Sequence, residues 1–129
     1  MRHILLLILS TMLLVAGYSY AEDEDKQAHY VSLKPSLVVN MKEGAKYARI
    51  DLQVMTRDEE QLEDLKLHGA AIRHELILLL SEQTGSSLKT PAGKEAFRQT
   101  ALASAQEVMK DLTGKTSIDE LFFTSFFVQ

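Results

Sequence analysis

The side chains here that could do chemistry are four histidines, two adjacent serines and several neighbouring carboxylates, and their spacing decides what they can do. His68 and His74 lie six residues apart in a stretch of helical periodicity, about 240° around a helix, so they cannot share a ligand face. His74-Glu75 matches the start of the zinc-protease helix motif, but the position four residues after His74 is Leu78, so the second ligand is missing. His3 and His29 belong to no such pattern. Ser86 and Ser87 follow Gly85 where a helix should end, which is not the strand-to-helix elbow that activates a serine. Gly93 precedes Lys94 without the second glycine of a phosphate-cradling loop. Glu59-Glu60 and Glu63-Asp64 fall on a polar helix face with nothing apolar nearby, the pattern of a solvated surface rather than of a general acid and base. The chain has no cysteine, which removes a disulfide framework, a thiolate metal site, a thiol nucleophile and a lipidated-cysteine anchor. No catalytic, cofactor-binding or metal-ligating residue is assigned, and the chain reads as a protein that is not an enzyme.

The N-terminus sets the location. Arg2 and His3 precede the apolar block Ile4–Ala16, and Gly17-Tyr18-Ser19-Tyr20-Ala21 supplies small residues where a signal peptidase inspects them, so residues 1–21 read as a secretory signal cut after Ala21. As a helix the block would be roughly 20 Å long against a hydrocarbon core of about 30 Å. The alternative is an uncleaved short anchor that leaves the rest in the periplasm on a single-pass inner-membrane segment. Residues 22–29 form an acidic spacer opened by Glu22-Asp23-Glu24-Asp25, and residues 30–129 are long enough for one domain. Fourteen Lys and Arg face eighteen Asp and Glu, a net charge of −4 that becomes −5 once Arg2 is removed. That balance argues against a phosphate-backbone binder, which would need clustered positive charge.

The elements follow from periodicity. Tyr30–Lys34 and Leu37–Val39 alternate around Pro35, the pattern of an edge strand with a proline break. After a turn at Gly44, Ala48, Ile50, Leu52 and Val54 alternate with Tyr47, Arg49, Asp51 and Gln53, which gives one buried and one wet face and predicts a hairpin with the first strand. Thr56-Arg57-Asp58-Glu59 has capping-box spacing and starts a helix, with a break expected at His68-Gly69 and a stop at Gly85. Thr90-Pro91 starts a second helix with Phe97, Ala101, Ala105, Val108 and Leu112 inward, closed by Gly114. In the last strand Ile118, Phe122, Phe126 and Val128 take one face, and Leu121, Phe123 and Phe127 the other. Apolar on both sides, it belongs in the middle of a sheet or at a subunit contact. The order is strand-strand-helix-helix-strand, an α+β domain. Tyr47, Arg49, Asp51, Gln53, Phe123 and Phe127 are the candidate protein interface, with Arg49 and Asp51 available to set register between neighbours.

Four blocks in register, Lys46–Val54, Ala71–Ser81, Leu88–Glu95 and the ending Ile118-Asp119-Glu120-Leu121-Phe122-Phe123-Thr124-Ser125-Phe126-Phe127-Val128-Gln129, make the chain from about Tyr30 onward resemble the FliL family of flagellar basal-body-associated proteins. That resemblance implies a periplasmic domain similar to the stomatin, or SPFH, core, which in this family rings the linker of the flagellar stator's plug-bearing subunit and supports torque generation. It implies a non-enzymatic scaffold without cofactor. The implied partners are copies of itself in a ring-like homo-oligomer, flagellar stator subunits and, if the N-terminal segment is not cleaved, the inner membrane. The alternative is a soluble periplasmic binding or regulatory module of the same fold with no motor role.

Overall fold

A computed structural model describes residues 26–129; the expected signal or anchor and Glu22–Asp25 lie outside the described residues. Strands β1 (His29–Asn40), β2 (Tyr47–Thr56) and β3 (Glu120–Val128) form an antiparallel sheet in the order β1-β2-β3. Between β2 and β3 run α1 (Leu62–Leu67), α2 (Gly69–Ser81), the single turn α3 (Gly85–Leu88) and the long α4 (Pro91–Thr113). The domain is α+β as expected. α1 and α2 pack on β1, α4 packs on β3, and α2 and α4 pack on each other, so the helices cover one face of the sheet.

The strict alternation of β2 makes that layering necessary. Ala48, Ile50, Leu52 and Val54 are all buried, and they join Leu33, Leu37, Ile72, Leu76, Leu80, Phe97, Ala101, Ala105 and Leu121 in one core. At about 3.4 Å per residue the ten residues of β2 extend about 34 Å, and the 23 residues of α4 at about 1.5 Å each reach about 35 Å. One helix can therefore cross the whole sheet. α2 carries the chain toward the β1–β2 turn and α4 brings it back.

Each end of this helical excursion is tied to the sheet. At the hairpin turn, Gly85 N donates to Lys42 O at 2.9 Å, Ser86 N to Glu43 O at 3.1 Å and Lys89 Nζ to Gly44 O at 2.5 Å. The approach requires Gly85, because a Cβ there would lie 2.3 Å from the Ala45 Cβ. Gly85 is thus the start of α3 rather than the stop of α2, which ends at Ser81. At the far end Asp119 N donates to Met55 O at 2.8 Å, and buried Gln61 accepts from Ser117 Oγ at 2.7 Å.

Several local expectations shift. Thr56 does not cap a helix: it is buried at the end of β2, and Asp58 caps instead, its carboxylate accepting from Glu60 N at 3.1 Å before a short 3-10 turn, Glu59–Gln61. The backbone must first leave the sheet, and Asp58 has the extended conformation that a cap needs. The break at His68-Gly69 is present, with α1 ending at Leu67 and α2 starting at Gly69. Thr90 caps α4 by accepting from Gly93 N at 3.0 Å, and Gly114 ends it at φ 80°. The buried row of α4 is Phe97, Ala101, Ala105 and Met109, while Val108 is half-buried and Leu112 is 51% exposed. Steps of four wind by about 40° each, and only the packed neighbours decide whether a row keeps winding or returns by a step of three.

β3 is an edge strand, not a central one, because β2 already pairs on both sides. Its register slips between Asp51↔Ser125 and Leu52↔Phe123, leaving Thr124 as the extra residue of a bulge. Leu121, Phe123, Phe126 and Val128 therefore face the helices, and Phe122, Ser125 and Phe127 face away. A second slip, between Leu33 and Leu37, brackets the cis Lys34-Pro35 bond in β1, which is also an edge strand as expected. Arg98 of α4 clasps the β3 side. Its guanidinium bonds both Glu95 oxygens at 2.6 and 2.8 Å, Glu120 Oε2 at 3.1 Å and Leu121 O at 3.2 Å.

Gly93→Ala should lose about 1–3 kcal/mol in urea unfolding, because the new Cβ would lie 1.8 Å from Ser87 O and force the α3–α4 joint apart. The Arg98 hydrogen bonds, and then that of Gln99, hold the Glu95 carboxyl down to about 2 from its ordinary 4.5. A depressed carboxyl stabilises the fold above about pH 4.5 and loses that stabilisation as pH falls toward about 2. Melting followed over this range should therefore drop more steeply for the parent chain than for Glu95→Gln, and because Glu95 is exposed the difference should shrink in high salt.

Candidate functional site

The residues singled out for chemistry are not brought together. His68 closes α1, His74 is exposed on α2 and His29 opens β1, and among the described residues no group of three His, Cys, Asp or Glu could hold a metal. Ser86 Oγ donates to Glu43 O at 3.4 Å, and Ser87 N donates to the Thr84 hydroxyl at 3.2 Å; both serines serve the turn. Glu59, Glu60 and Glu63 are exposed. Gly93 and Lys94 open α4, where Lys94 Nζ stands 5.2 Å above the Phe126 ring.

The face of the sheet turned away from the helices is the feature that stands out. β2 places Tyr47, Arg49, Asp51 and Gln53 there, as its alternation predicts. The neighbouring strands add Tyr30, Ser32 and Val38 from β1 and Phe122, Ser125 and Phe127 from β3. Tyr30, Val38, Tyr47, Phe122 and Phe127 all remain exposed. The aromatic rings lie in two pairs. Tyr30 and Phe122 have centroids 6.2 Å apart near one end, and Tyr47 and Phe127 are 6.0 Å apart near the other, both tilted at distances at which aromatic rings attract.

Polar side chains hold the middle of this face in place. Ser36 Oγ donates to Asp51 Oδ1, and Gln53 Nε2 donates to Ser32 Oγ at 3.1 Å, so β1 braces both β2 residues. Tyr47 OH donates to Gln129 Oε1 at 3.4 Å, and Gln129 is itself held by its carbonyl, which accepts from Lys46 N and Tyr47 N. Arg49 lies between Val38 and Phe127 in register. No carboxylate among the described residues comes within 4.0 Å of its guanidinium, so its charge is open to an outside acceptor. An open sheet face with aromatic corners, a fixed carboxylate and an uncommitted guanidinium has the composition of a protein contact surface.

The six expected interface residues do not all share this face. Tyr47, Arg49, Asp51, Gln53 and Phe127 do. Phe123 points to the helices and stacks on Phe97 at 5.7 Å with the rings 9° from parallel, and Phe126 meets it edge-on at 5.0 Å. Strict alternation put Phe123 with Phe127 and Phe122 with Phe126, whereas the bulge at Thr124 exchanges the partners. The adjacent polar pair Thr124-Ser125 inside a phenylalanine run was the signal for it, since an unbroken strand would alternate through that point. Tyr30, Val38 and Phe122 also belong to this face and were not among the expected interface residues.

Residues 30–129 match the family model described as "Flagellar basal body-associated protein FliL". The chain is 24% identical over 99 residues to a protein named "Flagellar protein FliL" from Aquifex aeolicus (strain VF5), an alignment that covers 75% of this chain and 59% of that protein. The matched stretch begins at Tyr30, one residue into β1, and takes in every later element.

The two phenylalanines on opposite faces should separate in unfolding measurements. Phe123→Ala should cost about 2–3 kcal/mol because half-buried Phe123 stacks on Phe97, while removing the ring of Phe127, which is 47% exposed, by Phe127→Ala should cost less than about 1.5 kcal/mol.

Proposed function

Because this chain belongs to the FliL family of flagellar basal-body-associated proteins, we propose that it is a non-enzymatic scaffold of the flagellar motor, working on the periplasmic side in support of the stator through a stomatin-like domain. The observation that carries the reading is the open face of the sheet. A domain whose layers are satisfied on one side only, and whose other side displays two aromatic pairs around Arg49, is suited to holding another protein rather than turning over a substrate. In the same reading the domain acts in several copies, and Arg49 and Asp51 fix the register of the contact.

Removing the gene should leave cells that assemble flagella but swim markedly more slowly in viscous medium, and supplying the parent chain in trans should restore speed. Phe127→Asp, on the exposed face, should give a domain with the parent's circular dichroism that fails to restore swimming. A deletion strain that swims like its parent overturns the motor role and favours a soluble periplasmic module. Full rescue by Phe127→Asp would show that this face is not the contact surface.

A further inference from the structure

A hollow of about 230 Å³ lies between the outer edge of β1 and the α1–α2 junction, lined by Val31, Leu33, Lys34, Lys66, Gly69 and Arg73 among others. Its lining includes three cations and no carboxylate, in a chain of net charge −4. Lys66, Gly69 and Arg73 are spaced three and four residues apart, so the helical side presents them in one row, and Lys34 stands across from them on the strand.

This charge is not neutralised within the domain. Among the described residues Lys34 has no ion-pair partner, and Lys66 meets only Glu63 at 3.7 Å, an exposed pair of little strength. Arg73 is half-buried, and its Nε donates to Pro35 O at 2.9 Å, which fixes the plane of the guanidinium. Its two terminal nitrogens hold no partner among the described residues, so they stand as a pre-set fork for an oxyanion. Gly69 keeps the floor low although the core does not require it. A Cβ there would lie 3.6 Å from Leu33 Cδ2, an ordinary contact, so packing would accept alanine, the better helix former, at the start of α2. The bare backbone leaves space between Lys66 and Arg73 that a side chain would narrow.

We propose that this hollow binds a phosphate monoester, its phosphate held by the Arg73 fork between the Lys34 and Lys66 ammonium groups. Three cations that converge from strand and helix suit a tetrahedral group of nearly two negative charges, whose oxygens diverge, better than a planar carboxylate of single charge. The Val31, Gly69 and Ala70 side adds apolar wall beside the cations, where the carbon skeleton carrying the phosphate can lie. Soluble phosphomonoesters and lipids of the phosphatidic acid type carry the same group. The site lies apart from the aromatic pairs and does not depend on the motor role.

The test titrates the full chain, uniformly 15N-labelled and held in a neutral maltoside detergent, with glycerol 3-phosphate, with dihexanoyl phosphatidic acid and with acetate, all at constant ionic strength. The reporters are the Arg73 Nε–Hε resonance and the Gly69 and Ala70 amides. Glycerol 3-phosphate should give saturable shifts in the millimolar range, and acetate should bind several-fold more weakly. A double variant, Lys34→Gln with Lys66→Gln, should bind the phosphate about tenfold more weakly, the effect of losing two solvent-screened contacts. Both lysines are exposed, so the variant should keep the parent's circular dichroism. Saturation by the lipid at lower concentration than by glycerol 3-phosphate, in the parent and not in the variant, assigns a lipid headgroup; saturation at equal or higher concentration assigns a soluble ester. No saturable shift with either phosphate, equal affinity for acetate, or unchanged affinity in the variant would each overturn the proposal.

Discussion

Ala48, Ile50, Leu52 and Val54 have to leave water together, and most of the architecture follows from how that is done. They lie on one face of a central strand, and each large aliphatic side chain among them contributes about 1.5–3 kcal/mol when buried. An antiparallel sheet of three strands cannot cover that face itself. The cover is a pair of packed helices, one long enough to span the strand, and the turns at both ends fasten the pair through backbone groups that would otherwise be unpaired. The close fit at Gly85 belongs to this requirement, since any side chain there would hold the helices off the hairpin.

Covering one face leaves the other bare, and the same strand composes it. Tyr47, Arg49, Asp51 and Gln53 are the outward half of the alternation that buries Ile50 and Leu52, so core and open face cannot be shifted independently. The edge strands have more freedom because each carries a slip in register. The slip in β3 turns Phe122 and Phe127 outward while Phe123 and Phe126 stay with α4; that in β1 surrounds Pro35 and brings Ser36 to Asp51. Bulges of this kind re-aim side chains without dissolving the sheet. Here they assemble the aromatic corners from residues of three different strands.

Arginines manage the two edges. Arg98 bonds Leu121 O beside β3 and Arg73 bonds Pro35 O in β1, so each edge has one carbonyl occupied by a side chain. They differ in surroundings: Arg98 is neutralised by Glu95 and Glu120, whereas the β1 edge keeps a cationic rim. Family membership places the chain among flagellar basal-body-associated proteins.

Local periodicity alone gave the α+β class, the β1–β2 hairpin, the break at His68-Gly69, the Thr90 cap and the outward row of β2. All of these depend on neighbours in the chain and on which residues tolerate water. The edge position of β3, the exchange of Phe122 with Phe123, the cap at Asp58 and the winding of the α4 row toward Met109 were settled only by tertiary structure. A strand apolar on both sides is equally at home in the middle of a sheet or on an edge with an open face, and a bulge depends on the strand opposite as well as on its own residues. The sequence likewise showed basic Lys34, Lys66 and Arg73 scattered over about forty positions. Only folding gathers the three cations at one groove, because helix and strand there are neighbours in space and not in sequence.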